Sequence, residues 1–308
     1  PWGYYMTGKV DFRLIGYGAT IKQQYAGEVK RVFSIATGTA DVMIAGITFD
    51  QDRSNPSHLT NESFGIQFIC KVGNGARNVT FVDCRFINGN EVGIVTDSGV
   101  SDIRFQRCTV DNMGEHPVYL RGEKLFFENC TFTNYGKTYR GFMKLASVSD
   151  SVWVNCTVSP NQSRQGLSAS PGGGASYGWV VIDGTNNLIR DSRFEQMNGG
   201  YSFCGAIMAI GGSGLTFDGC TFTAEDRYAA PINFQDDSQA TMVNCVISDI
   251  AYIDKGPRVF MDNTVTNLEY MRIYQPGSLI ANNYFDCEWN NRTNYLIQAG
   301  ASNMYGVK

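Results

Sequence analysis

Apolar and polar residues alternate in short runs along this chain, and one run recurs: V-T-F-V-D-C-R-F at 79–86, I-R-F-Q-R-C-T-V at 103–110, L-F-F-E-N-C-T-F at 125–132 and L-T-F-D-G-C-T-F at 215–222. An aromatic or aliphatic residue stands three places before each cysteine and another stands two places after it. This period of two fits a short strand, whereas a helical repeat places apolar residues three and four apart. Six cysteines, Cys84, Cys108, Cys130, Cys156, Cys220 and Cys245, share one slot, which Ile47, Ser192, Asn263 and Asn283 continue. The ten slot positions are 37, 24, 22, 26, 36, 28, 25, 18 and 20 residues apart. Self-similarity at such a period marks a repeat architecture.

Each period reads as one rung of short parallel strands. A single rung cannot bury its own apolar side, but rungs stacked ~4.8 Å apart enclose a continuous core. The predicted fold is therefore all-β, a right-handed, single-stranded parallel β-helix. This solenoid has about eleven rungs and a length on the order of 50 Å. The segment V-D-F-R-L-I-G-Y-G-A-T-I at 10–21 reads as the opening rung, so that 1–21 begins the coil. The repeat runs nearly end to end and makes 1–308 one domain, with 50–63, 159–177 and 195–204 expected to protrude as loops that wall a groove. Tyr177, Trp179, Tyr201 and Tyr228 lie near those loops, where such rings either stack on sugars or cap the core.

Composition narrows the classes of partner. Net charge is −4, and no run of clustered Lys and Arg exists to neutralise phosphates, which argues against nucleic acid as a partner. An acidic polysaccharide would require a local cluster of cations. No apolar run of 18 residues is present, so no membrane-crossing helix is expected. Nine cysteines in a chain of this length could form disulfides. Six of them share one inward slot that Ser or Asn fills in other rungs, which predicts reduced thiols folded in a reducing cytoplasm. There is no apparent signal peptide, and the opening Pro1 reads as a processing boundary. Phosphate loops, zinc spacings and nucleophile elbows are not found.

A second phrase, a glycine or proline followed by an apolar strand, recurs as F-G-I-Q-F at 64–68, V-G-I-V-T-D at 92–97, H-P-V-Y-L-R at 116–121 and R-G-F-M-K-L at 140–145. Alternation sends Ile94, Val118 and Leu120 inward and leaves Asp97, Tyr119, Arg121, Lys144, Asp183 and Gln235 in an outward row suited to a hydroxyl-rich polymer. Glu91 and Glu115 stand two residues ahead of Gly93 and Pro117, which places them in one column with Tyr139 next in line. Stacking brings such carboxylates to about 5 Å at their backbones, near the separation used by retaining glycosidases. Like charges that close raise one pKa, as an acid catalyst requires.

His116, Tyr119, Arg121, Arg140 and Lys144 surround this pair, and His116 is one of only two histidines. Two other readings compete: a solvated patch in which the acids pair with Arg121 or Arg140, and a Ca²⁺ held by the two glutamates and turn carbonyls. The reading adopted takes Glu91, Glu115 and His116 as catalytic. Asp97, Tyr119, Arg121, Tyr139, Arg140, Lys144 and Asp183 then bind substrate, with no metal and no cofactor.

The rung phrases, with L-I-G-Y-G-A-T-I at 14–21 and V-M-I-A-G-I-T-F-D at 42–50, resemble the pectate-lyase-like right-handed parallel β-helix superfamily. Within it the chain is most similar to the central domain of bacteriophage tailspikes and related tail appendages. That resemblance implies a virion-tail location and a homotrimer, and it implies recognition or cleavage of a bacterial surface polysaccharide: capsule, lipopolysaccharide or teichoic acid. The paired aspartates and H-G and R-I-K signatures of polygalacturonases are absent, as is a calcium-binding aspartate set. Three activities stay open. A glycoside hydrolase would use Glu91 and Glu115. A lyase acting on a uronate-containing glycan would use Tyr119, His116 or Lys144 as base, with Arg121 or Arg140 offsetting the uronate. The third is an adhesin that binds without cutting. Outward apolar residues, with Ile69, Val95 and Met208 as examples, add a second motive for the trimer.

Overall fold

A computed structural model describes residues 4–23, 31–52, 67–136, 141–160, 177–197, 207–209, 213–224, 232–234, 239–250, 252–273, 277–287, 297–299 and 303–305. Its 32 strands form one continuous, wholly parallel sheet wound into a right-handed β-helix. Three faces run along the coil. The first contains Phe68–Val72, Val92–Thr96, the start of Val118–Glu128, Gly141–Ser149 and Tyr177–Thr185. The second contains Arg77–Val82, Ser101–Gln106, the end of Val118–Glu128, Val152–Val154 and Leu188–Arg190. The third contains Arg85–Ile87, Thr109–Asp111, Thr131–Thr133 and Thr157–Ser159.

One column on the third face passes in register through Thr20, Thr48, Arg85, Thr109, Thr131, Thr157, Arg193, Thr221, Val246, Thr264 and Tyr284. These eleven positions match the rung count expected from the repeat. The opening strand Val10–Lys22 pairs only with Ala40–Asp50 and is exposed or half-buried along its whole length, because nothing among the described residues covers its other side. Parts of the expected loops, at 53–63, 161–176 and 198–204, lie outside the described residues, as do Tyr201, Tyr228 and Gln235.

The cysteine slot follows from a backbone corner. The residue before each slot position, Gly46, Asp83, Arg107, Asn129, Asn155, Asp191, Gly219, Asn244, Asp262 or Asn282, has φ between 50° and 71°. Asn, Asp and Gly tolerate this left-handed conformation, whereas other residues resist it by roughly 1 kcal/mol or more. Arg107 is the exception. Its Nε and Nη2 donate to the two carboxylate oxygens of Asp83 in the rung below at 2.7 and 3.1 Å, a fork that holds the Asp83 carboxyl below its usual range.

The corner turns carbonyls inward and leaves room for a small side chain able to donate to them. Cys84 Sγ lies 3.4 Å from the Val82 carbonyl, Cys245 Sγ 3.2 Å from that of Val243, and Ser192 Oγ donates to Arg190 O at 2.9 Å. The amide oxygens of Asn263 and Asn283 instead accept from the backbone of the preceding rung, at Cys245 N (2.8 Å) and Asn263 N (2.9 Å). Cys, Ser and Asn are thus interchangeable answers to one corner. All eight described cysteines are free thiols, and burial pushes that of Cys70 far above its ordinary range.

Beside this slot the core is an aromatic column. Phe81 stacks on Phe105 at 4.9 Å, Phe105 on Phe127 at 4.7 Å, and Phe127 on Trp153 at 3.9 Å between ring centroids. In-register stacking places identical positions one rung apart, so a repeated phenylalanine becomes a stack without further instruction.

Candidate functional site

The acid column forms at the corner where the chain enters the first face. Phe68 pairs with Val92, and Cys70 with Ile94, which in turn pairs with Val118. Gln67, Glu91 and Glu115 thereby fall on consecutive rungs. The Glu115 amide donates to the Glu91 carbonyl at 2.8 Å, and Gly136 N donates to Glu115 O at the same distance. Tyr139, expected next in the column, and Arg140 lie outside the described residues.

The two carboxylates are deeply set. Glu91 is 8% exposed, Glu115 6% and His116 6%. Glu91 Oε2 accepts from Gln67 N at 2.9 Å, which fixes its orientation. Behind it, Asn90 Nδ2 donates to Gln67 Oε1 at 2.8 Å and Asn90 N donates to Gln51 Oε1 at 2.9 Å. The buried corner is thus a polar network of amides and acids, in which Gln51 Nε2 finds no hydrogen-bond acceptor among the described residues. Among the described residues, no group of three or more His, Cys, Asp or Glu is gathered as a metal ion would require.

A second cluster lies on the outer surface of the first face. Tyr119 pairs with Lys144 across one rung, and their neighbours Leu120 and Leu145 point into the core. Lys144 Nζ sits 4.5 Å and the Arg121 guanidinium 5.0 Å from the centre of the Tyr119 ring, and Arg121 Nη2 donates to the phenol oxygen at 2.7 Å. Thr96 Oγ1 anchors the Arg121 backbone, accepting from its amide at 2.8 Å and donating to its carbonyl at 2.6 Å. Lys71 and Asp97 form an ion pair of 3.0 Å on the neighbouring rungs. Asp183 is exposed on the strand above Lys144, paired with Ala146. Four residues of strand, roughly 13 Å, separate Glu115 from Tyr119, so the acids and the cations form two adjoining sites on one face.

The structure corrects one register. Aligning Gly65 with Gly93 implies an offset of 28, but the strands pair at an offset of 24; both are even, so alternation gives Ile69 the outward side in either register, yet that side is covered there. Ile69 is fully buried, within reach of the Gly89 backbone, and cannot serve a subunit contact. Val95 keeps its outward place. Pairing at 24 sets Lys71 beside Val95 and brings Gln67 into the acid column, placements that the glycine-anchored register does not give. The signal was present as an even spacing: 67, 91 and 115 are 24 apart.

A family model described as "Right handed beta helix region" matches residues 65–200 and 173–305. No curated protein matches the chain. Among solved structures it is similar to the Dettilon tailspike protein, with 12% identity and a TM-score of 0.45 over 99% of this chain and 60% of that one. It is also similar to tailspike gp49 of Acinetobacter baumannii bacteriophage Fri1, a capsular polysaccharide depolymerase, with 13% identity and a TM-score of 0.40 over 90% and 57%. A third likeness is to the A-module of the Azotobacter vinelandii mannuronan C-5 epimerase AlgE6, with 12% identity and a TM-score of 0.40 over 98% and 88%. The chain spans about 60% of the length of the tailspikes it resembles. Since the two family matches together cover 65–305, the chain belongs to the family of proteins built on a right-handed β-helix region.

Proposed function

We propose that this chain binds an extended bacterial surface polysaccharide along its first face and hydrolyses it at the Glu91–Glu115 corner, as part of a phage tail appendage. The observation that carries the reading is the stacking of the two acids on consecutive rungs, with Glu115 N on Glu91 O at 2.8 Å. His116 adjoins them, and the Tyr119–Arg121–Lys144 cluster continues along the same face over two rungs. One carboxyl acts as general acid and the other as nucleophile or water-activating base, and the outer row holds the polymer. A second reading, binding without cleavage, is favoured by the burial of both acids and by the engagement of Glu91 with Gln67 N.

The test is incubation with a panel of capsular, lipopolysaccharide and teichoic acid polymers, followed by product mass analysis. Hydrolysis is expected to yield new reducing ends without an unsaturated, ultraviolet-absorbing sugar. An unsaturated product would instead assign elimination, with Tyr119, His116 or Lys144 as base. Polymer that is bound but never shortened would overturn the hydrolase in favour of the adhesin.

The tail appendage is further proposed to be a homotrimer. Phe126, Val152 and Leu188 form an outward apolar run on the second face, and after Thr216 and Thr241 the same column becomes apolar again at Val259 and Leu279, all five apolar side chains being half-buried in the single chain. Such a band on a rod favours burial against a further copy. Sedimentation is expected to give three times 34.0 kDa, and a sole 34.0 kDa species would exclude it.

A further inference from the structure

We infer that the polymer bound on the first face is anionic, its carboxylate or phosphate groups docking on Arg121 and Lys144. This rests on the polysaccharide reading above and adds the class of polymer. The chain as a whole is acidic, with a net charge of −4, so a cationic site on it is a local construction rather than a reflection of composition.

Three cations gather on neighbouring rungs of this face: Lys71, Arg121 and Lys144. Lys71 is neutralised by Asp97 at 3.0 Å. Arg121 and Lys144 differ from it, because among the described residues neither forms an ion pair. Lys22, Arg107, Arg190 and Arg272 each have a carboxylate within 4 Å, and what sets Arg121 and Lys144 apart from other cations without an ion pair is that both lie against one tyrosine ring. Both unpaired cations lie against one phenol ring, 5.0 and 4.5 Å from its centre, so two positive groups share a single aromatic side chain as their described electrostatic partner.

An oxyanion docked beside this ring compensates both charges and takes up donors that have no acceptor among the described residues. Of the five Arg121 side-chain N–H donors, the one on Tyr119 Oη at 2.7 Å has a described partner, and Arg121 itself is exposed. A guanidinium fork beside an ammonium suits either a uronate carboxylate or a phosphodiester. A neutral polymer could use the same hydrogen bonds but would leave the two charges uncompensated.

The experiment measures binding of the full chain to a uronate-bearing capsule, a poly(glycerol phosphate) teichoic acid, a neutral glucan and duplex DNA between 50 and 200 mM salt. One or both acidic glycans are expected to bind, and the stronger of the two identifies the acidic group. Affinity for it should fall roughly tenfold over that salt range, as two neutralised charges require. Arg121→Gln combined with Lys144→Gln should weaken this binding at least tenfold and flatten its salt dependence, while Arg121→Lys, which keeps the charge, should retain the dependence. An unchanged thermal melt shows that these surface variants fold.

A neutral glucan bound as tightly as the acidic ones, with no response to salt, overturns the anionic inference and leaves the polysaccharide reading standing. Failure of every glycan to bind sinks that reading and the inference together. DNA binding as strong as that of the glycans reduces the site to a general polyanion patch and also overturns the inference.

Discussion

Phe127→Ala is expected to lower the free energy of unfolding by about 3–5 kcal/mol, the usual cost of truncating a fully buried phenylalanine. The ring is 1% exposed and lies between Phe105 at 4.7 Å and Trp153 at 3.9 Å, with Phe132 at 5.9 Å on its flank. Alanine would leave a cavity that the stacked strands cannot close, because their backbones are pinned rung to rung by the parallel ladder. Position matters as much as volume. A solenoid is held by nearest-neighbour interfaces, so a void in a central rung uncouples the two halves of the rod, whereas one near an end only frays it. Phe285→Ala, in one of the last rungs and half-buried, should cost only about 1 kcal/mol. The thiols give an internal readout. Cys108, Cys130 and Cys156 flank the Phe127 column and are 1–2% exposed, so a thiol reagent should meet them only as the chain unfolds, at a lower denaturant midpoint in Phe127→Ala than in the parent. A midpoint equal to that of Phe285→Ala would show that the aromatic column is not what couples the rungs.

The same column explains why the fold was legible in the sequence. Phe81, Phe105 and Phe127 each stand three residues before a slot cysteine, and in-register stacking converts that fixed offset into physical adjacency. The acid pair was legible for the same reason, since Glu91 and Glu115 inherit the 24-residue period of Cys84 and Cys108. Where the period came from a glycine rather than from side chains packed in the core, the reading failed. Anchoring on Gly65 gave an offset of 28 where the strands pair at 24, which hid Gln67 from the acid column. The buried character of the acid site was hidden for a different reason. Glutamate is ordinarily a surface residue, and Glu91 is accommodated here by the backbone N–H of Gln67, whose side chain is tied through Asn90 to Gln51. The left-handed corners were visible as Asp, Asn or Gly before each slot, but Arg107 breaks that rule and is tolerated through its fork on Asp83.

The largest expected effect on activity comes from the acids. Glu91→Gln and Glu115→Gln should each slow depolymerisation by roughly 10²–10⁴-fold, the span attributed to a positioned general acid or base, and the double variant should be little worse than either alone because the pair acts as a unit. The amide is the informative replacement. A glutamine at 91 keeps an oxygen that can accept from Gln67 N, so the corner retains its bond and the variant should melt close to the parent. Glu91→Ala removes the acceptor and leaves a buried N–H without its partner, at a cost of about 1–3 kcal/mol whatever the catalytic role. The two substitutions therefore separate chemistry from architecture. If Glu91 is catalytic, the glutamine variant is stable and inactive. If Glu91 is only a cap on the Gln67 backbone, the glutamine variant is stable and fully active while the alanine variant alone is weakened, and the acid pair must then be abandoned as the seat of hydrolysis.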